Sequence, residues 1–123
     1  MTEKHAPVRL HEKLALFADH WHPRIVAQLD DVYAKVVKVQ GEFVWHTHDG
    51  QDELFLVIEG ELTIRLRDGD VRLAAGDLYV IPEGVEHCPL AETEASLLVL
   101  GREDTDQTGG VETELRAPDL EWI

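Results

Sequence analysis

From Arg24 onward the chain alternates short apolar runs with abrupt breakers, and the runs are too short for helices. In order they are Arg24–Leu29, Val32–Val39, Phe43–His48, Leu54–Ile58, Leu62–Arg67, Val71–Leu73, Leu78–Ile81, His87–Leu90 and Ala95–Leu100. Between them stand Asp30-Asp31, Gly41, Asp49-Gly50, Gly60, Asp68-Gly69, Gly76, Pro82 to Gly84 and Glu92-Thr93-Glu94. Many short strands separated by turn residues predict an all-β sandwich or barrel of antiparallel strands. Asp68-Gly69 is the strongest hairpin signal. Leu62, Ile64 and Leu66 share one face while Glu61, Thr63, Arg65 and Arg67 share the other, the pattern of a strand with one wet side. Leu54–Ile58 is apolar on both sides, so its outer face needs cover. Before the strands, Leu10, Leu14, Phe17 and Ala18 recur at helical spacing and predict a short covering helix over Leu10–Ala18. After Gly101 the chain becomes acidic and poor in apolar residues through Gly110, which reads as a loop, and Leu120–Ile123 reads as a docking tail. Residues 1–31 thus supply a helix and covering strand, 32–101 a barrel core, and 102–123 the loop and tail, all within one domain.

The chemistry is concentrated in Gly41 to Gly60. In an extended segment His46 and His48 leave the backbone on the same face. Glu53 opens the apolar run Leu54–Ile58, where an unpaired carboxylate would be costly. A divalent metal shared with neutral imidazoles would neutralise it. A further ligand is expected from His87, because Pro82 and Gly84 form a turn that delivers it to the start of another strand. Four protein ligands on a six-coordinate ion leave two positions for substrate or water. Imidazole and carboxylate together suit Fe, Mn, Ni, Zn or Cu without choosing among them. One such ion per chain is expected.

Taken together, Gly41, His46, His48, Glu53 and Gly60, followed by Gly76, Pro82, Gly84 and His87, resemble the two sequence motifs of the cupin superfamily. The interval from Gly41 to His46 is one residue shorter than the usual motif, and Ala91 stands where the second motif ends in Asn. The resemblance spans roughly residues 32–101. It implies a small cupin-type antiparallel jelly-roll β-barrel with one internal metal. It also brings in isomerases, dioxygenases and lyases, so a metal-dependent enzyme acting on a small polar or oxygenated substrate is one expectation. A non-catalytic module that binds a small molecule, as a sensor would, is the other. No dedicated catalytic acid, base or nucleophile stands out beyond the four ligands.

Charge narrows the partners. Against 11 Lys and Arg the chain carries 25 Asp and Glu, a formal charge of −14, which disfavours nucleic acid and anionic membranes. No apolar leader or run of membrane-spanning length occurs, so the cytoplasm is the expected compartment. The single cysteine, Cys88, excludes an intrachain disulfide. Following His87 in a strand, it should face away from the metal as a buried, inert thiol. By the same parity Phe55 and Val57 share the face of Glu53 and should wall the pocket, whereas Trp45 should lie on the opposite side. Phe43, Trp45, Phe55 and Tyr79 flank the ligands and read first as core residues, with contact to a bound small molecule as the alternative. His5, His11, His20 and His22 read as surface or packing residues; the His20-Trp21-His22 triplet runs into Pro23 and has no following glutamate. Glu59, Glu83 and Glu86 adjoin turns and read as solvated. Because Leu54, Leu56 and Ile58 would face outward together, a homodimer through that face or through Arg24–Leu29 is expected, with intrachain cover by the helix as the competing arrangement.

Overall fold

The computed structural model describes residues 6–117 and 119–123, so His5 lies outside the described residues. One short helix, α1 (Leu10–Leu14), precedes seven strands: β1 (Arg24–Leu29), β2 (Val32–Glu42), β3 (Glu53–Glu59), β4 (Glu61–Leu66), β5 (Gly69–Ala74), β6 (Leu78–Ile81) and β7 (His87–Arg102). Every strand pairing is antiparallel. The hydrogen-bonded order runs β1-β2-β7-β3-β6, and β4 joins β5 to β7. The architecture is the all-β jelly roll with a short N-terminal helix.

β7 is the spine. Its first residues pair with β4, from Leu66↔His87 to Thr63↔Leu90, and its later ones pair with β3, from Leu54↔Leu100 to Glu59↔Ser96. Along its other edge it pairs with β2 from Glu42↔Leu90 to Val32↔Arg102. Here the structure corrects the expectation of two strands separated at Glu92-Thr93-Glu94. These exposed residues bulge out where the register steps from Gly41↔Ala91 to Val39↔Ala95, so the strand changes partner without ending. Gly60 makes the close approach possible. At φ +84° it lies so near the bulge that a Cβ would stand 2.8 Å from the Glu94 carbonyl oxygen.

Two other expectations change. The helix stops at Leu14 rather than Ala18: Leu16 N closes onto Lys13 O at 3.1 Å in a tighter turn, and beyond it Lys38 Nζ takes the Phe17 carbonyl at 2.8 Å and the Arg24 guanidinium sits 4.4 Å over the Phe17 ring. Phe43–His48 is not a strand. Phe43 N donates to Pro89 O at 2.9 Å, but Pro89 has no N–H to return the bond, so the ladder lapses until a single bridge pairs His46 with His87.

The main core includes Val37, Val39, Phe43, Phe55, Val57, Leu62, Ile64, Ile81 and Leu97. Outside it, α1 closes a second cluster in which Leu14, Val26 and Val36 are buried against Leu10, Phe17, Ile58, Leu98 and Ile123. The helix therefore covers the Ile58 end of the outer β3 face. Leu54 and Leu56 remain half-buried beside Leu78 and Val80 of β6, which are 59% and 43% exposed. Among the described residues no helix is long and apolar enough to cross a membrane.

Candidate metal centre

His46, His48, Glu53 and His87 come together as a buried cluster whose ligand atoms all lie within 4.8 Å of one another. Different elements deliver them. Glu53 opens β3 opposite Ile81, and the same face continues through buried Phe55 and Val57. His87 opens β7. Its backbone exchanges two hydrogen bonds with His46, each at 3.0 Å, which sets the imidazole centroids 4.2 Å apart. His48 is tied by its carbonyl, which accepts from Gly84 N at 3.1 Å, so the Pro82–Gly84 turn positions both His87 and His48. Thus the ligands converge without the strand expected for Phe43–His48; the bridge and the turn do what a ladder would have done.

Two tautomers are set by the backbone. His46 Nδ1 lies 2.8 Å from Val44 O and His87 Nδ1 lies 2.9 Å from Val85 O. A carbonyl can only accept, so both Nδ1 atoms carry hydrogen and each neutral ring presents its Nε2 lone pair. The Nε2 atoms of His48 and His87 are buried without a hydrogen-bond partner. They stand 3.4 and 3.6 Å from Glu53 Oε1. Ligands bound at about 2.1 Å to one ion lie roughly 3–4 Å apart, so the spacing and the orphaned nitrogens fit a metal.

Electrostatics agree. Burial pushes the Glu53 carboxyl up, but His48 and His87, by hydrogen bonding and charge when they are protonated, outweigh it and hold its pKa below the usual carboxylate range. Burial, together with the neighbouring His87, pushes His46 down to about 4, favouring the neutral ring.

Beside the cluster lies a cavity of about 50 Å³, walled by Trp21, Val37, Phe43, Phe55, Leu97 and Val99 and reached by His46, Glu53, Lys35 and Gln107. Phe55 walls it as expected, whereas Val57 packs in the core on the same face. Tyr79 is half-buried against that core. Trp45 lies on the other side, with the Arg67 guanidinium 3.7 Å over its ring. Cys88 is fully buried, and burial raises its thiol to about 11. Glu59, Glu83 and Glu86 are exposed. His11 and His20 pair with Glu59 and Glu94, and His22 approaches Asp19; none joins the cluster.

Trp21, Lys35, Gln107 and Gly109 escaped sequence reading. Lys35 carried a signal, a cation in the inward row with Val37 and Val39. Trp21 is held by bonds from its N to Lys38 O and from Nε1 to Gln40 O, both 2.9 Å, and it stacks on Phe43 at 4.6 Å. Gln107 donates to Trp21 O, and Gly109 lies against Thr47 between the two histidines. Nothing in an acidic loop announces such contacts.

The family model described as a cupin domain matches residues 35–101. The chain belongs to the cupin domain family. Among solved structures, a cupin-2 domain containing protein from Shewanella frigidimarina NCIMB 400 is 46% identical, with a TM-score of 0.77 over 78% of this chain and 94% of that one. Protein NMB1881 from Neisseria meningitidis is 27% identical, with a TM-score of 0.73 over 80% of this cupin and 100% of its own chain. KdgF from a Halomonas species, also 27% identical, has a TM-score of 0.60 over 68% and 80%. The uncharacterized protein YdbB of Bacillus subtilis (strain 168) is 38% identical over 63 residues, 50% of this chain. That match spans 56% of YdbB, little more than half its length.

Proposed function

We propose that this cupin is a metal-dependent enzyme in which His46, His48, Glu53 and His87 hold one divalent transition ion per chain. A small polar or oxygenated substrate binds at the positions they leave open. The observation that carries the reading is the pair of buried, partnerless Nε2 atoms aimed at a buried carboxylate. The ion would be Fe, Mn, Ni, Zn or Cu, and when bound it polarises a substrate oxygen or acidifies a water. The chain's own residues do the rest. Val44 and Val85 carbonyls orient His46 and His87, and the aromatic wall of Trp21, Phe43 and Phe55 restricts water. The reaction belongs to the isomerase, dioxygenase or lyase classes.

A second reading, a non-catalytic small-molecule module, is favoured by one observation: apart from His46 and Glu53 of the cluster, Lys35 is the only ionisable side chain lining the cavity among the described residues. Elemental analysis of untagged protein, followed by calorimetric titration of wild type and His87→Ala, tests the metal. The expected results are about one ion per chain and at least a tenfold loss of affinity in the variant. A ratio near zero, unrestored by added Mn, Fe, Ni, Zn or Cu, overturns the proposal. Substrate-dependent oxygen consumption or turnover in the metal-loaded protein separates enzyme from module.

Association with a second copy of the chain is also proposed, through the outer face of β3 and β6. What supports it is the continuity of Leu54, Leu56, Leu78 and Val80, with Leu56↔Leu78 and Leu54↔Val80 in register. β6 ends the sheet order, with β3 as its strand partner, so its outer backbone edge is open. The lone, buried thiol of Cys88 accords with a cytoplasmic setting.

A further inference from the structure

Lys35 is 3% exposed on the inward face of β2, directly across from Val99 of β7. The cavity it reaches is lined mostly by apolar side chains, with His46, Glu53 and Gln107 as the other polar ones, and it forms no hydrogen bond or ion pair with any described residue. Glu53 acts on it only through longer-range attraction, while burial lowers its pKa. Glu53 is otherwise committed to the His48 and His87 corner. A lysine serving as the structural counter-ion of that carboxylate would close an ion pair with it, and Lys35 does not. Gln107, the other polar side chain reaching the cavity, is occupied by the Trp21 carbonyl and the Ala117 N–H. The wall therefore presents one uncommitted amine, next to His46 and Glu53, in an apolar enclosure where an ammonium without an anion is unfavourable.

We propose that Lys35 is the anion-recognition group of this cavity and holds the carboxylate of a short oxygenated acid, a 2-oxo acid, 2-hydroxy acid or small dicarboxylate. The inference rests on the metal reading for the placement of the acid's second oxygen at the cluster, and the Lys35 contact itself does not need the ion. Size limits the class. A cavity of about 50 Å³ takes roughly three to five water-sized groups, since one water needs about 10–15 Å³ on this measure. Specificity is local, because the formal charge of −14 gives anions no long-range attraction.

The test titrates oxalate, pyruvate and glycolate, with oxamide and ethylene glycol as neutral counterparts, into wild type and Lys35→Met. Each protein is used metal-free and zinc-loaded, with zinc stoichiometry measured separately. Methionine keeps an unbranched chain only one atom shorter and removes the charge, so thermal unfolding of Lys35→Met should match or exceed wild type. Expected are binding of the acids to wild type, at least a tenfold loss in Lys35→Met, an unchanged response to the neutral probes, and equal zinc content. Lys35→Met binding the acids as tightly as wild type overturns the proposal, as does failure of the acids to bind either form of the wild type. A borohydride-stable pyruvate adduct on Lys35, formed by loss of water to an imine and hydride reduction, would also overturn it by making the amine a nucleophile. If neither zinc nor added Mn, Fe, Ni or Cu binds wild type, the metal reading falls, and the metal-free arm still decides Lys35.

Discussion

Gly109→Ala should damage both stability and the candidate metal cluster, although it lies far along the chain in the acidic loop. Gly109 sits at φ +60°, where an L-residue costs about 1–2 kcal/mol more than glycine. In addition, its Cβ would stand 2.1 Å from the Thr47 carbonyl oxygen and 3.4 Å from His46 Cβ. Ordinary contact begins near 3.4 Å, so the chain must find about 1.3 Å of space. The loop yields little. Thr108 is fully buried, its hydroxyl donates to Val111 O at 2.8 Å, and Gly109 N donates to Asp106 O at 2.9 Å. The displacement must therefore pass into Thr47, flanked by His46 and His48. Overpacking of this kind costs about 1–3 kcal/mol, for a total of roughly 2–5 kcal/mol. Gly110→Ala is the control: at φ +89° with nothing within 4 Å of its Cβ, it carries only the backbone strain. Urea unfolding of both variants, with metal titration, provides the measurement. Gly109→Ala should show the larger loss and at least a tenfold weaker metal affinity, with Gly110→Ala near wild type in affinity. Equal stabilities for the two variants would refute the contact between loop and cluster, whatever the metal result.

Metal-free protein should lose stability as pH falls. The His46 pKa lies near 4 folded against 6.5 unfolded, so the unfolded chain takes up the proton first; stability is full above about 6.5 and declines toward pH 4 by up to roughly 3 kcal/mol. Flat urea midpoints between pH 7.5 and 4.5 would contradict the His46 contribution, and Glu53, also held low, adds a loss in the same direction at more acid pH. For the proposed dimer, sedimentation velocity at micromolar concentration should show wild type dissociated by Leu78→Glu, since burying an exposed leucine is worth about 1.5–3 kcal/mol. A wild type that is monomeric at every concentration would leave α1 as the only cover of the outer face.

The four candidate ligands were legible because side-chain parity survives local irregularity. His46 and His48 point to one region although their segment makes only a single bridge, and Glu53 declared itself by opening an apolar run. Strand β1 was legible to the residue, Arg24–Leu29, because Asp30-Asp31 ends it sharply. Long-range exchanges were not. Glu92-Thr93-Glu94 looks like a turn in one dimension, whereas in three it is the place where β7 passes from β4 to β3. Nor could hydrophobic pattern foresee that Pro89 would break the ladder beside Phe43, or that residues near 108 would return to cap the histidines. Those contacts depend on partners more than 40 residues away, and no local periodicity encodes them.

Charge links the cluster to Lys35. A divalent ion held by three neutral imidazoles and one carboxylate keeps one positive charge, and an ammonium at Lys35 would stand beside it in a poorly screened interior. The two cations oppose each other in the empty cavity, which adds to the burial that already favours the neutral amine. An entering carboxylate reverses the balance, for it attracts both at once and lets Lys35 take up its proton. Metal and acid should then tighten one another by the same factor, as linkage requires of any two ligands whose sites interact. A neutral substrate would leave Lys35 either uncharged or unpaired and gain none of this coupling. On that ground the arrangement favours an acid over the equally small polyol or aldehyde that the cavity could also contain.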